Sequence, residues 1–70
     1  MKRFGEKLLT LRQQQHLTIR QLGESLGVVN SYISQIETGQ RTPSLKLAMK
    51  IAAYFAVDIN CLINDELELP

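Results

Sequence analysis

Residues 17–39 read LTIRQLGESLGVVNSYISQIETG, and their pattern decides the architecture. Thr18 stands just before an apolar-periodic run and Gln21 follows three residues later, the spacing of a reciprocal N-terminal capping pair. Leu22 and Leu26 then fall on one helical face, and Gly27 sits where a helix can close on a left-handed residue. A second run, from Val29 to Thr38, puts Val29, Ile33, Ile36 and Glu37 on one side of a 100° wheel, and Gly39 ends it. The stretch predicts two short helices, 18–26 and 29–38, joined by a tight glycine-containing turn.

Outward from this pair the same periodicity continues. Phe4, Leu8, Leu11 and Gln15 follow helical spacing, predicting a first helix that ends near His16 with Lys7, Arg12, Gln13 and Gln14 toward solvent. Gln40-Arg41-Thr42-Pro43 is a polar loop. Ser44 caps a fourth helix with an apolar stripe of Leu45, Ala48, Ile51, Ala52 and Phe55, and Asp58 caps a fifth with Ile59, Leu62 and Ile63 turned inward. No segment alternates as a strand does. The expected class is all-α, a compact five-helix domain.

Composition narrows the chemistry. Seventy residues hold one small core, which needs close helical packing or a partner subunit to be stable. The single cysteine, Cys61, excludes an internal disulfide, and it reads as a small core or interface residue in a reducing compartment. His16 has no Cys, Asp or Glu at ligand spacing, so no metal is expected. No nucleophile is paired with a base, and there is neither a glycine-rich phosphate loop nor a carboxylate dyad; an enzyme or a cofactor is not expected. No apolar run approaches a membrane span of roughly 20 residues, and no signal-peptide core follows Met1-Lys2-Arg3, so a cytoplasmic location is expected.

The net charge of +1 conceals an asymmetry. All eight lysines and arginines lie at or before Lys50, against only Glu6, Glu24 and Glu37 up to residue 57, which leaves that part at +5. Asp58, Asp65, Glu66 and Glu68 put −4 on the remainder. A basic body with an acidic end suits a chain with one face on phosphate.

The helix over 29–38 carries the sharpest signal. Opposite its core side lie Ser31, Ser34, Gln35 and Thr38, flanked by Asn30 and Tyr32. A merely solvated helix face ordinarily carries Lys and Glu; this one carries neither, yet every residue on it can hydrogen-bond. Asn and Gln pair bidentately with adenine, and Ser serves several bases. A braced helix of this kind suits the major groove of double-stranded DNA.

The runs Leu17-Thr18-Ile19-Arg20-Gln21-Leu22-Gly23-Glu24-Ser25-Leu26-Gly27-Val28, Ser31-Tyr32-Ile33-Ser34-Gln35-Ile36-Glu37-Thr38-Gly39 and Arg41-Thr42-Pro43-Ser44 resemble the Cro/phage-repressor (Xre-type) helix-turn-helix family. The likeness continues through Leu45–Ile63. It implies a sequence-specific transcription regulator, acting as a homodimer on a palindromic operator. The resemblance puts base contacts at Asn30, Ser31, Ser34 and Gln35. Backbone contacts fall at Thr18, Ile19, Arg20, Tyr32, Gln40, Arg41 and Thr42, and Arg12 pairs with Glu37 as a structural ion pair. Four positions depart from the pattern. Ile19 stands where Gln is common and Val29 where a Ser or Thr cap is common. Gly23 replaces a frequent Ala, and His16 fills a turn position often held by Gly, which implies a left-handed backbone there.

Residues 1–64 are thus expected to form the helix-turn-helix domain and 65–70 an acidic tail. Ile59, Leu62, Ile63, Leu67 and Leu69 are more apolar residues than one small core needs, and are expected at a dimer interface. Three settings accord with such a chain: a stand-alone repressor, a controller protein of a restriction–modification system, and an antitoxin that binds a toxin protein and autoregulates its operon.

Overall fold

The computed structural model describes residues 1–70 as five helices without strands: α1 Phe4–Gln14, α2 Ile19–Leu26, α3 Asn30–Glu37, α4 Leu45–Phe55 and α5 Ile59–Ile63. The all-α expectation holds. Local chemistry explains most of the helix ends. Thr18 Oγ1 accepts from the Gln21 N–H at 3.0 Å while Gln21 Oε1 accepts from the Thr18 N–H at 2.9 Å, so the expected capping pair is complete. Ser44 Oγ accepts from Leu47 N–H at 3.1 Å, and Asp58 Oδ1 from Asn60 N–H at 2.8 Å. Gly27 closes α2 at φ 74°, and His16 adopts the left-handed turn at φ 56°.

The core is assembled from all five helices. Phe4, Leu8 and Leu11 of α1 meet Leu22 and Leu26 of α2, Ile33 and Ile36 of α3, Leu47, Ala48, Ile51 and Ala52 of α4, and Leu62 of α5. Each large side chain buried there contributes about 1.5–3 kcal/mol. α3 lies against both α1 and α2, while α5 bridges α4 and α1. Glycine is required at residue 5, because a Cβ there would collide with the Ile36 carbonyl oxygen. The first turn of α1 therefore abuts the C-terminal end of α3 directly.

Several sequence expectations are corrected. Lys7 is not toward solvent: it is 2% exposed. Its Nζ donates to the carbonyls of Leu67 at 2.6 Å, Cys61 at 2.7 Å and Asn64 at 2.9 Å. The carbonyls at the end of a short helix lack intrahelical partners, and a cation satisfies both the hydrogen bonds and the dipole. Gln15 is exposed rather than on the core face, because the helix has already ended at Gln14. Leu45 is 61% exposed at the first turn of α4, and Leu47 takes the buried place. Val29, expected beside Ile33, is 68% exposed because it is the extended N-cap of α3 and not part of its wheel. Leu62 is fully buried within its own chain, so it packs the core and offers nothing to a second subunit.

The acidic end is tied to the start of the chain. The Asp65 carboxylate accepts from the N–H groups of Lys2 and Arg3, both at 2.9 Å, and so supplies the cap that Arg3 cannot give α1. Arg3 donates to both oxygens of Glu68 at 2.8 and 3.0 Å and to the Asp65 carbonyl at 2.9 Å. Backbone donation from Arg3, then from Lys2, holds the Asp65 carboxyl below its ordinary range; the Arg3 guanidinium does the same for Glu68. Leu69 packs against the core, as do the half-buried Ile59 and Ile63, while Leu67 stays largely open.

Candidate nucleic-acid interface

The interface is built from α2, α3 and the loop that follows α3. Gly23 sets how closely the first two approach: a Cβ there would come within 2.8 Å of the Val28 carbonyl and 3.2 Å of Asn30 Oδ1. Ile33 and Ile36 are buried and anchor α3 from beneath. Glu37 anchors it from the side. Its carboxylate accepts from Arg12 Nε at 2.7 Å and Nη2 at 3.0 Å, and Arg12 Nη1 donates to the Leu17 carbonyl at 2.8 Å. The two side chains are only 14% and 6% exposed, so this fork ties α1, the α1–α2 turn and α3 into one body. It also takes the only acid of α3 out of solvent.

What α3 leaves outward is uncharged. Asn30 and Ser31 are exposed, Ser34 and Gln35 half-buried, and Thr38 exposed. The helix start has no side-chain cap, because Val29 has no acceptor. Asn30, a residue that could have capped, is instead the first residue of the helix. The Tyr32 N–H donates to the Val29 carbonyl at 3.1 Å, which leaves the N–H groups of Asn30 and Ser31 without a partner.

Two walls flank this face. On one side, the start of α2 presents the N–H groups of Ile19 and Arg20, since Thr18 Oγ1 and the Thr18 carbonyl already serve Gln21 and Leu22. The Ile19 side chain is half-buried against the core, so this residue offers only its backbone. Arg20 bonds Glu24 at 3.2 Å, an exposed pair weak enough to exchange for another anion. On the other side, the loop folds around the end of α3. The N–H groups of Gln40 and Arg41 both donate to the Gln35 carbonyl, at 2.8 and 3.1 Å. Those two residues are left with their side chains alone. The Arg41 guanidinium stands 5.6 Å from the centre of the Tyr32 ring, a cation–π contact that holds it beside α3. Thr42 is exposed next to it.

Thus Asn30, Ser31, Ser34 and Gln35 share one face, with Thr18, Ile19 and Arg20 at one edge and Tyr32, Gln40, Arg41 and Thr42 at the other. Two short helices locked at a glycine approach, the second with an apolar underside and an uncharged outer face, match a family model described as helix-turn-helix over residues 8–60. This chain belongs to the Xre-type helix-turn-helix family.

The regulator is 31% identical over 68 residues to the ImmF control region 10 kDa protein of Bacillus phage phi105, covering 97% of this chain and 76% of that protein. It is 47% identical over 53 residues to an HTH-type transcriptional regulator of Methanocaldococcus jannaschii, covering 76% and 80%. Among solved structures, the restriction-modification controller protein C.AhdI of Aeromonas hydrophila superposes with a TM-score of 0.79 at 31% identity, over 89% of this chain and 94% of that one. Some HTH-type regulators are longer, and the chain spans 41% of them. The regulator is a DNA-binding transcription regulator. No helix in it is long and apolar enough to cross a membrane.

Proposed function

We propose that the regulator acts in the cytoplasm as a homodimeric repressor that occupies a palindromic operator and blocks transcription by occupancy. One observation carries the base-reading part. The outer face of α3 has no charge at all, while its only acid is sequestered by Arg12. Asn30, Ser31, Ser34 and Gln35 set the sequence, and Thr18, Ile19, Arg20, Tyr32, Gln40, Arg41 and Thr42 hold the flanking phosphates. Ile19 contributes through its N–H and Arg41 through its guanidinium. The likeness to a controller protein supports a second reading, control of a restriction–modification operon, by the same chemistry at the same face.

For the dimer the available residues are the exposed Leu67 and the half-buried Ile59, Ile63 and Leu69. Two copies then place two α3 helices in successive major grooves about 34–36 Å apart. Selecting bound duplexes from a random library tests both parts at once. A two-fold-symmetric site with half-sites one helical turn apart is expected. An asymmetric site, with a monomeric mass by light scattering, rules out the dimer while leaving the base reading intact.

A further inference from the structure

Three cations gather on one side of α3 with no acid among them. Arg41 lies over Tyr32, and Tyr32 also lines a hollow of about 220 Å³ that opens between the α2–α3 turn and the start of α4. Leu26, Gly27, Val28 and Leu47 form its floor and back. Tyr32, Ser44, Lys46 and Lys50 supply its polar rim. Lys46 and Lys50 are separated by one helical turn and therefore point to the same side of α4. Lys50 Nζ donates to the Leu26 carbonyl at 2.6 Å, which fixes its position and leaves two of its three N–H bonds free. Lys46 enters none of the ion pairs of the chain. Ser44 Oγ accepts from Leu47 N–H and so has its own proton to donate. Every polar group on this rim is a donor, and none of the seven acids of the chain lines it.

We infer that this hollow is a second phosphate seat, taking a DNA backbone phosphate between Lys46 and Lys50 with the Ser44 and Tyr32 hydroxyls as further donors. This rests on the reading of α3 as the groove-entering helix. A helix in the major groove has a sugar–phosphate strand on either side of it. The start of α2 faces one of these strands. The Tyr32–Arg41 edge faces the other, and Lys46 and Lys50 prolong that edge through the hollow that Tyr32 shares with them. The pattern also explains the exposed lysines of α4 without an ion pair: a cation held ready for phosphate is left unneutralised in the free protein.

Lys46→Gln tests the seat, because Lys46 is exposed and holds no partner in the fold. Binding of the full chain to a random-sequence duplex and to its selected operator is measured by fluorescence anisotropy from 50 to 200 mM chloride. One lost phosphate contact lowers the salt slope by about 0.9, so the affinity lost across that fourfold range shrinks by about 3.5-fold, equally on both duplexes. Lys46→Glu lowers affinity further on both. A slope unchanged in Lys46→Gln, or a loss confined to the operator, overturns the seat while wild-type binding keeps the α3 reading standing; wild-type protein that binds no duplex overturns both. Exchanging chloride for inorganic phosphate at equal ionic strength separates a duplex phosphate from a free one. No added loss of binding is expected, and saturable competition that disappears in Lys46→Gln would assign the hollow to a free phosphate ligand instead.

Discussion

Replacing Glu37 by Gln leaves the shape of the side chain and removes its charge from a site where charge matters. In the native protein Glu37 is 6% exposed and accepts from two of the three guanidinium nitrogens of Arg12, at 2.7 and 3.0 Å. A Gln amide can still accept from one of them, but its NH₂ then faces the other donor. Arg12 keeps its bond to the Leu17 carbonyl at 2.8 Å, and at 14% exposure it is left as a nearly buried cation without a counter-charge. Breaking such a pair costs about 3–5 kcal/mol, and the residual exposure and the retained bonds place this case near 3 kcal/mol. A seventy-residue domain has in all roughly 3.5–10 kcal/mol at the usual stability per residue. The loss corresponds to a fall in Tm of about 12–24 °C for a domain of this size. Circular dichroism at 222 nm through heat and urea, on Glu37→Gln, Arg12→Gln and the double variant, measures it. The double variant should recover part of the loss, giving a coupling energy of at least about 1 kcal/mol, since removing both charges leaves no orphan. A Tm fall under about 4 °C, or single effects that simply add, would refute a buried pair.

Other consequences follow from the same geometry. Gln35→Ala should flatten preference among sequences with little change on random DNA, whereas Arg41→Ala should weaken binding to every duplex and lower the salt slope by about one; competition binding on operator and random duplexes separates them. Gly5→Ala should destabilise strongly or prevent folding, since its Cβ meets the backbone of Ile36, and no side-chain rearrangement relieves that; urea denaturation of the variant checks it. Asp65 and Glu68 have carboxyls held below their ordinary values, so their stabilisation is complete above the ordinary carboxylate range, about pH 4–5, and is lost as pH falls through their lowered values. Amide exchange at Lys2 and Arg3 should stay slow above pH 5 and quicken below pH 4 beyond the intrinsic trend, and Asp65→Asn should remove that pH dependence.

The parts of the fold that follow from neighbours in sequence were the legible ones. Thr18 with Gln21, Ser44, Asp58 and Gly27 mark helix ends through bonds spanning two to four residues, and each stands in the expected place. The errors arose where a distant segment decides. Lys7 looks like a solvent-facing cation until the carbonyls of Cys61, Asn64 and Leu67 come to it from more than fifty residues away. Leu62 counts as surplus by sequence because the depth of the core under a five-residue α5 is not readable from a wheel. Val29 fits the wheel of α3 by spacing but only caps that helix, and an extended residue there points elsewhere. At the candidate interface periodicity made the outward residues of α3 legible, whereas the flanking residues came with the family resemblance. Which donors are already spent was not: the N–H groups of Gln40 and Arg41 turn inward to the Gln35 carbonyl, so that loop has side chains to give and little backbone.

If α3 and its two walls form the surface that meets DNA, their amides must sense the duplex. Amide chemical-shift mapping of the labelled protein against its selected duplex tests it most directly. Perturbations are expected at 18–20, 30–35 and 40–46, with 59–69 unmoved except by dimer formation seen equally without DNA. Perturbations centred on α5 and the tail, with α3 silent, would contradict it.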